Sequence, residues 1–297
     1  MKKIKNNIIY LGLKSLQILV LAFPWRLTLK VGAVLGWLFY CLVPKEVRKA
    51  RKSISIAFPE ISDKARGKLI PKVFMATGKN ALEFLKLTSM STAQIAKLVE
   101  EVIGWENIEK ALAKGKGVLC FTAHLGNWEI IPIMTAYKKQ STAVIAQKLY
   151  DTRLDDFINN FRKKHKIKVI QRGKFIREIM RCLKKNMLLG ILNDQATSVD
   201  SRWIPFFGNL AKTPIGTLRL ARRTGAAVVP IFINRKASGK HRLVIEKAVE
   251  IPKTISEEED LLKGANLCNQ IIERYIREFP EQWVWFHERW KDSPTIN

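Results

Sequence analysis

The chain has 297 residues, 47% of them hydrophobic, which allows a substantial buried core and excludes wholesale disorder. Its 52 lysines and arginines against 26 aspartates and glutamates give a formal net charge of +26, so the expected partners are anionic. The basic residues are scattered through every segment, without zinc-finger spacing or a basic heptad array, which argues against nucleic acid. An anionic bilayer, a phosphorylated lipid or an acidic carrier protein fits this charge. Four cysteines (Cys41, Cys120, Cys182, Cys268) stand far apart with no CxxC pair, so neither a disulfide framework nor a metal site is expected. Cys41 and Cys120 lie in apolar runs and read as packed thiols.

In chain order, a basic start (Met1 to Asn7) leads into an apolar run, Ile8 to Phe23, broken by Pro24-Trp25-Arg26. Val31 to Val43 is apolar again and stops at Pro44. Each run is shorter than the roughly 20 residues that span a bilayer comfortably. Flanked by Trp25, Trp37, Tyr40 and basic residues, the two read as a membrane anchor over residues 1–47, one tilted span or two interfacial helices. A buried helix pair is the alternative. Lys45 to Lys52 forms a basic collar, and Ile61 to Val102 reads as helical.

Residues 48–297 read as one α/β domain. Val118 to Ala123, Ala143 to Ala146, Lys168 to Ile170, Met187 to Leu192, Ala226 to Asn234 and Arg242 to Glu246 have strand character. Between them lie helical segments at Thr152 to Lys164, Phe175 to Lys185 and Thr213 to Thr224, with Pro214 expected at the start of the last. Ser256 with Glu259 three residues on caps a final helix that runs to about Phe279. The alternation predicts an α/β fold with a mostly parallel central sheet flanked by helices.

The stretch Gly117 to Glu129, GVLCFTAHLGNWE, carries the chemistry. A strand that ends in His124 and turns into a helix puts an imidazole at the carboxyl edge of a sheet, where open α/β sheets bind ligands. Residues five apart on a continuous helix diverge by about 140°. His124 and Glu129 therefore meet only if His124 lies in the turn and Glu129 in the first helical turn, with Gly126 allowing the turn. Glu129 is then expected to hold the imidazole while its other nitrogen takes a proton from a hydroxyl. Backbone N–H groups at the helix start add positive potential for an oxyanion. A structural His and a dipole-compensating Glu explain the same residues.

Several blocks resemble one family. HLGNWE resembles the His-x-x-x-x-Asp/Glu block of the lysophospholipid acyltransferase superfamily, in the form found in bacterial lipid A biosynthesis lauroyl/myristoyl acyltransferases. Arg48 to Pro59 (RKARKSISIAFP), Asp194-Gln195 with Ile204 to Gly208 (IPFFG), and Pro280 to Lys291 (PEQWVWFHERWK) resemble further blocks of that family, in order. The resemblance implies a glycerolipid-acyltransferase-like fold on the cytoplasmic face of the cell inner membrane, without cofactor. It implies acyl-acyl carrier protein as donor and a phosphorylated glycolipid acceptor, the lipid A precursor. It assigns His124 and Glu129 to catalysis, and Gly126, Asn127, Arg162, Arg172, Asp194 and Gln195 to substrate binding. Arg162 and Arg172 suit bidentate capture of a phosphate oxygen, though arginine is common throughout this chain. Trp203 to Gly208 reads equally as an acyl-groove loop or a core plug. Trp283, Trp285 and Trp290 read as packing for the carboxyl-terminal segment, and His287 as structural; Asn80 and Glu83 fit core-side hydrogen bonding as readily as a family block.

No Ser or Cys stands in a nucleophile elbow, so direct transfer without a covalent enzyme intermediate is expected. Alternative acceptors are a lysophospholipid or a glycolipid mannoside. A basic, non-catalytic membrane- or nucleic-acid-binding protein is the reading from another class.

Overall fold

The computed structural model of the chain describes residues 2–171, 176–196 and 200–294. Three helices open it: α1 (Lys2–Ala22), α2 (Trp25–Leu42) and α3 (Pro44–Ala57). The long α4 (Asp63–Leu87) and the short α5 (Thr92–Ala96) follow. Pro24 and Pro44 fall at the breaks, where a missing N–H costs nothing. Ser62 caps α4 by accepting from the Ala65 N–H at 3.2 Å.

The main sheet contains β1 (Val99–Ile103), β2 (Val118–Thr122), β3 (Thr142–Ala146), β4 (Lys168–Gln171), β5 (Leu188–Leu192), β8 (Ala227–Arg235) and β9 (His241–Ile245). Their order across it is β1-β9-β8-β2-β5-β3-β4. From β8 to β4 the strands run parallel, whereas β9 is antiparallel to β8 and carries β1 alongside. A separate hairpin joins β6 (Ser201–Phe206) to β7 (Asn209–Pro214). The helices α6 (Trp105–Leu112), α7 (Ile130–Tyr137), α8 (Thr152–Lys164), α9 (Ile176–Lys184), α10 (Gly216–Thr224) and α11 (Glu257–Glu278) complete the fold. This is the expected mixed α/β architecture with a mostly parallel sheet.

β2 is apolar along its length because both faces are covered. Leu119 and Phe121 join the core beneath α11 and the tryptophan-rich end. Val118 and Cys120 join the core beneath α6 and α7. Ser256 caps α11 through the Glu259 N–H, as the sequence predicts.

Four local expectations change. The stretch read as helical to Val102 ends in β1, because VEEVI finds a parallel partner in β9 that no local pattern announces. The WIPFFG segment forms β6 and its turn, with Ile204, Phe206 and Phe207 buried, so it is a core plug. Pro214 closes β7 instead of opening the next helix, which begins at Gly216. Cys41 is exposed, while Cys120, Cys182 and Cys268 are buried thiols.

No single helix among the described residues is long and apolar enough to cross a membrane; α2 and α3 together reach that length and apolarity, bent by 95°. α2 also packs directly along α4. A Cβ on Gly36 would meet the Phe74 carbonyl oxygen at 2.2 Å, and one on Gly78 would meet that of Gly32 at 2.1 Å. Only glycine allows so close an approach. α2 also exposes Val34, Trp37, Leu38 and Leu42, while the half-exposed Phe39 packs on Phe74 of α4.

Candidate active site

Strand register brings the central residues together. Thr122 of β2 stands opposite Leu192 of β5 in a parallel pair, and the Asn193 N–H donates to the Thr122 carbonyl at 3.0 Å. Two residues beyond this last rung, His124 and Asp194 leave the sheet side by side at its carboxyl edge. Asp194 Oδ1 lies 2.8 Å from His124 Nδ1, and Oδ2 accepts from the His124 backbone N–H at 2.9 Å. Oδ2 also accepts from the Trp283 indole N–H at 2.7 Å. Asp194 is fully buried. Burial pushes its carboxyl up, but His124, His287 and these hydrogen bonds outweigh that and hold it well below the usual carboxylate range.

The partner of the imidazole is therefore Asp194, where the sequence pointed to Glu129. Glu129 is the residue just before α7, and its carboxylate turns to Arg162 of α8. That pair is bidentate: Nη2 donates to Oε1 at 2.5 Å and Nε to Oε2 at 3.1 Å. Nδ1 of His124 is taken by Asp194, and Nε2 has no hydrogen-bond partner among the described residues. Trp128 packs edge-on against the ring at 4.8 Å. His124 then faces a cleft of about 900 Å³ whose wall includes Glu129, Arg162, Asn159, Gln147 and Gln195.

Trp128, Glu129 and Arg162 also border a largely apolar cavity of about 590 Å³, counting its mouth. It runs between α7 and the β2, β3 and β5 strands, past Cys120, Val144 and Gly190. A charged edge and an apolar slot thus share one wall.

The turn itself is fixed from behind. Gly126 has φ +57°, and a Cβ there would sit 2.3 Å from the Ile233 carbonyl oxygen, so glycine is required, as expected. Its N–H donates to the Gln282 carbonyl at 3.0 Å and its carbonyl accepts from the Asn80 amide at 2.7 Å. The Asn127 amide donates to Glu83 at 2.6 Å. Gly126 and Asn127 are thus engaged in holding the turn, because the peptide must bend back over β8, and neither lines the cleft. Arg172, the other expected anion ligand, lies outside the described residues.

Glu83 is the hub of that rear network. It is fully buried and pairs with Arg235 through both oxygens, while His241 Nε2 lies 2.8 Å from Oε1. Burial raises its carboxyl, but His241 and Arg235 win and bring it down to about 2. Arg235 also donates to Asn80 at 2.8 Å. Sequence reasoning left Glu83 as a family block or a core hydrogen bonder, found no motif around His241 and gave Arg235 no role. Their separation, 152 and 158 residues from Glu83, hides the network from any local pattern. His287 is partly buried with its ring centre 6.3 Å from that of His124, and burial lowers its imidazole to about 4, so it stays neutral. Among the described residues no cluster of metal-binding side chains occurs.

Comparison with known proteins identifies the family. The chain is 26% identical over 278 residues to the lipid A biosynthesis lauroyltransferase of Escherichia coli (strain K12), covering 93% of this chain and 89% of that protein. It is 26% identical over 284 residues to the lipid A biosynthesis palmitoleoyltransferase of the same strain, covering 92% and 87%. A shorter match, 24% over 159 residues and about half of each chain (52% and 50%), is to a phosphatidylinositol mannoside acyltransferase of Mycobacterium tuberculosis. A family model described as bacterial lipid A biosynthesis acyltransferase matches residues 1–292. The chain is thus an acyltransferase and belongs to the bacterial lipid A biosynthesis acyltransferase family.

Proposed function

We propose that this enzyme moves a fatty acyl group from the thioester of acyl-acyl carrier protein to a hydroxyl of a lipid A precursor of the Kdo-lipid IVA type. The observation that carries this reading is His124, with Nδ1 fixed by Asp194 and Nε2 without a hydrogen-bond partner among the described residues, on the wall of a cleft that borders an apolar slot. Nε2 takes the proton of the acceptor hydroxyl as that oxygen attacks the thioester carbonyl. Asp194 keeps the imidazole in one tautomer and stabilises its protonated form, the role expected of Glu129. When the tetrahedral adduct collapses, the carbon–sulfur bond breaks and the leaving thiolate takes that proton.

The acyl chain of the donor lies in the apolar slot, and the Glu129–Arg162 pair forms its polar rim. Glu129 fixes the guanidinium plane so that Arg162 meets a phosphate or carbonyl oxygen in one orientation. The net charge of +26 suits both an acidic carrier protein and a phosphorylated lipid. The apolar outer face of α2 and the basic residues of α3 suit attachment to the cytoplasmic face of the inner membrane.

The test is transfer of labelled acyl groups from acyl carrier protein in detergent micelles. Lipid A precursor, lysophosphatidic acid and a phosphatidylinositol mannoside serve as acceptors. Transfer to the lipid A precursor, abolished by His124→Ala, is the expected result. Transfer to another acceptor alone would keep the chemistry and overturn the substrate.

A further inference from the structure

A second cleft, of about 870 Å³, lies on the other side of the His124–Glu129 turn, between α4 and the end of β8. Its wall carries Lys72, Lys79, Asn80, Arg235, Lys236 and Glu281. Two of these cations are already matched: Lys236 by Glu100 at 3.0 Å and Glu101 at 3.1 Å, and Arg235 by Glu83. Lys72 and Lys79 form no ion pair among the described residues. They stand seven apart on α4, two turns along one face, so both ammonium groups reach the same opening. Arg235 engages its terminal nitrogens with Glu83 and Asn80, but its Nε–H has no partner among the described residues. The field there is positive: burial, then the charge of Arg235, lowers the Lys79 ammonium, and the opposing pull of Glu281 is weaker than either.

The cleft lies beside the apolar helix α2. The stretch of α4 that bears the two lysines is the one packed on α2 through Gly32, Gly36 and Gly78. The turn after β8 touches α2 as well, since Gly239 abuts Leu29. α2, the helix packed against this stretch, also exposes Val34, Trp37, Leu38 and Leu42.

We infer that this cleft binds the phosphate group of an amphipathic lipid, with Lys72 and Lys79 as its charged contacts and the acyl chains lying along α2. A glycerophospholipid of the bilayer and a sugar phosphate on a glycolipid present the same chemistry. The site is distinct from the His124 cleft, and its occupancy is measured as binding, so it stands or falls apart from the acyl-transfer reading. An occupied site places an anion against Arg235 and Asn80, two residues that hold the turn bearing His124.

The experiment is co-sedimentation of the full-length chain with phosphatidylcholine vesicles. These are used alone, with phosphatidylglycerol, or with a phosphorylated glucosamine disaccharide lipid. Lys72→Gln/Lys79→Gln is compared with Lys110→Gln/Lys114→Gln, a control of equal charge on α6 and just beyond it. The cleft variant is expected to weaken binding to phosphate-bearing vesicles by about tenfold or more, and the control by about twofold or less. Lys72→Arg/Lys79→Arg, which keeps the charge, is expected to restore binding. Weakening with phosphatidylglycerol identifies the bilayer headgroup as the source, and weakening only with the glycolipid identifies the sugar phosphate. Equal weakening by both glutamine variants, or none by either, overturns the site.

Discussion

The molecule builds the same contact twice: His124 with Asp194 and His241 with Glu83, each a carboxylate–imidazole pair at 2.8 Å with the acid fully buried. In both, burial disfavours the charged carboxylate and cationic neighbours overcome it. The pairs differ in the second ring nitrogen. His241 Nδ1 is buried with no partner among the described residues, and the ring is wholly enclosed. His124 is 17% exposed and lines the cleft. A buried carboxylate–histidine pair is therefore no mark of catalysis in itself. What separates the two is whether the free nitrogen can reach a substrate. The hub at Glu83 orders the backbone, and the Asp194 pair at the front uses that order.

Substitution at both pairs sharpens the contrast. His124→Ala is expected to lower kcat by about 10²–10⁴-fold with Tm little changed, as read by steady-state transfer assays. His241→Ala is expected to do the reverse, lowering Tm while the folded fraction keeps most of its turnover. Asp194→Asn comes next: losing the charge that stabilises imidazolium is expected to cost about 10²-fold or more in kcat. Glu129→Gln is expected to fall mainly on KM, through a loosened Arg162. A Glu129→Gln variant as crippled in kcat as Asp194→Asn would return the carboxylate role to Glu129.

The rear pair gives a smaller, thermodynamic effect. Glu83→Gln leaves Arg235 buried without its counter-charge, and breaking such a pair costs about 3–5 kcal/mol of stability. Denaturant unfolding measures it directly. An unchanged midpoint would mean that water or another acid compensates Arg235, and that Glu83 is no hub.

These pairs also explain what the sequence could reveal. Val118 to Thr122, the position of His124 and the need for glycine at 126 were all legible, because apolar runs, strand–turn–helix order and turn chemistry are local properties. Most of the parallel sheet was legible for the same reason. The partner of His124 was not, because it arrives through the register of β2 on β5, 70 residues away. Proximity in sequence favoured Glu129, whose real partner is Arg162 on a different helix. Trp283 was legible as packing but not as a donor to Asp194, since the indole N–H meets the acid only when the carboxyl-terminal segment folds back on the turn. β1 was hidden by the charged pair Glu100-Glu101 within it, which faces Lys236 in the folded chain.

The smallest effect expected is in the pH dependence of stability, where two histidines and the rear acid separate by window. His287, beside the front pair, and His165 are both lowered by burial from 6.5 to about 4. The unfolded chain takes up these protons first, so stability is complete above about pH 6.5 and declines as pH falls toward 4. Glu83 is lowered from 4.5 to about 2, so its contribution is intact above pH 4.5 and is lost only as pH falls toward 2. Thermal melts are therefore expected to fall gently by a few degrees through the upper window and more steeply through the lower. Replacing His165 and His287 by Asn is expected to flatten the upper slope and leave the lower one, whereas Glu83→Gln flattens only the lower. A single transition moved equally by both changes would mean that the two histidines and Glu83 do not titrate as separate units.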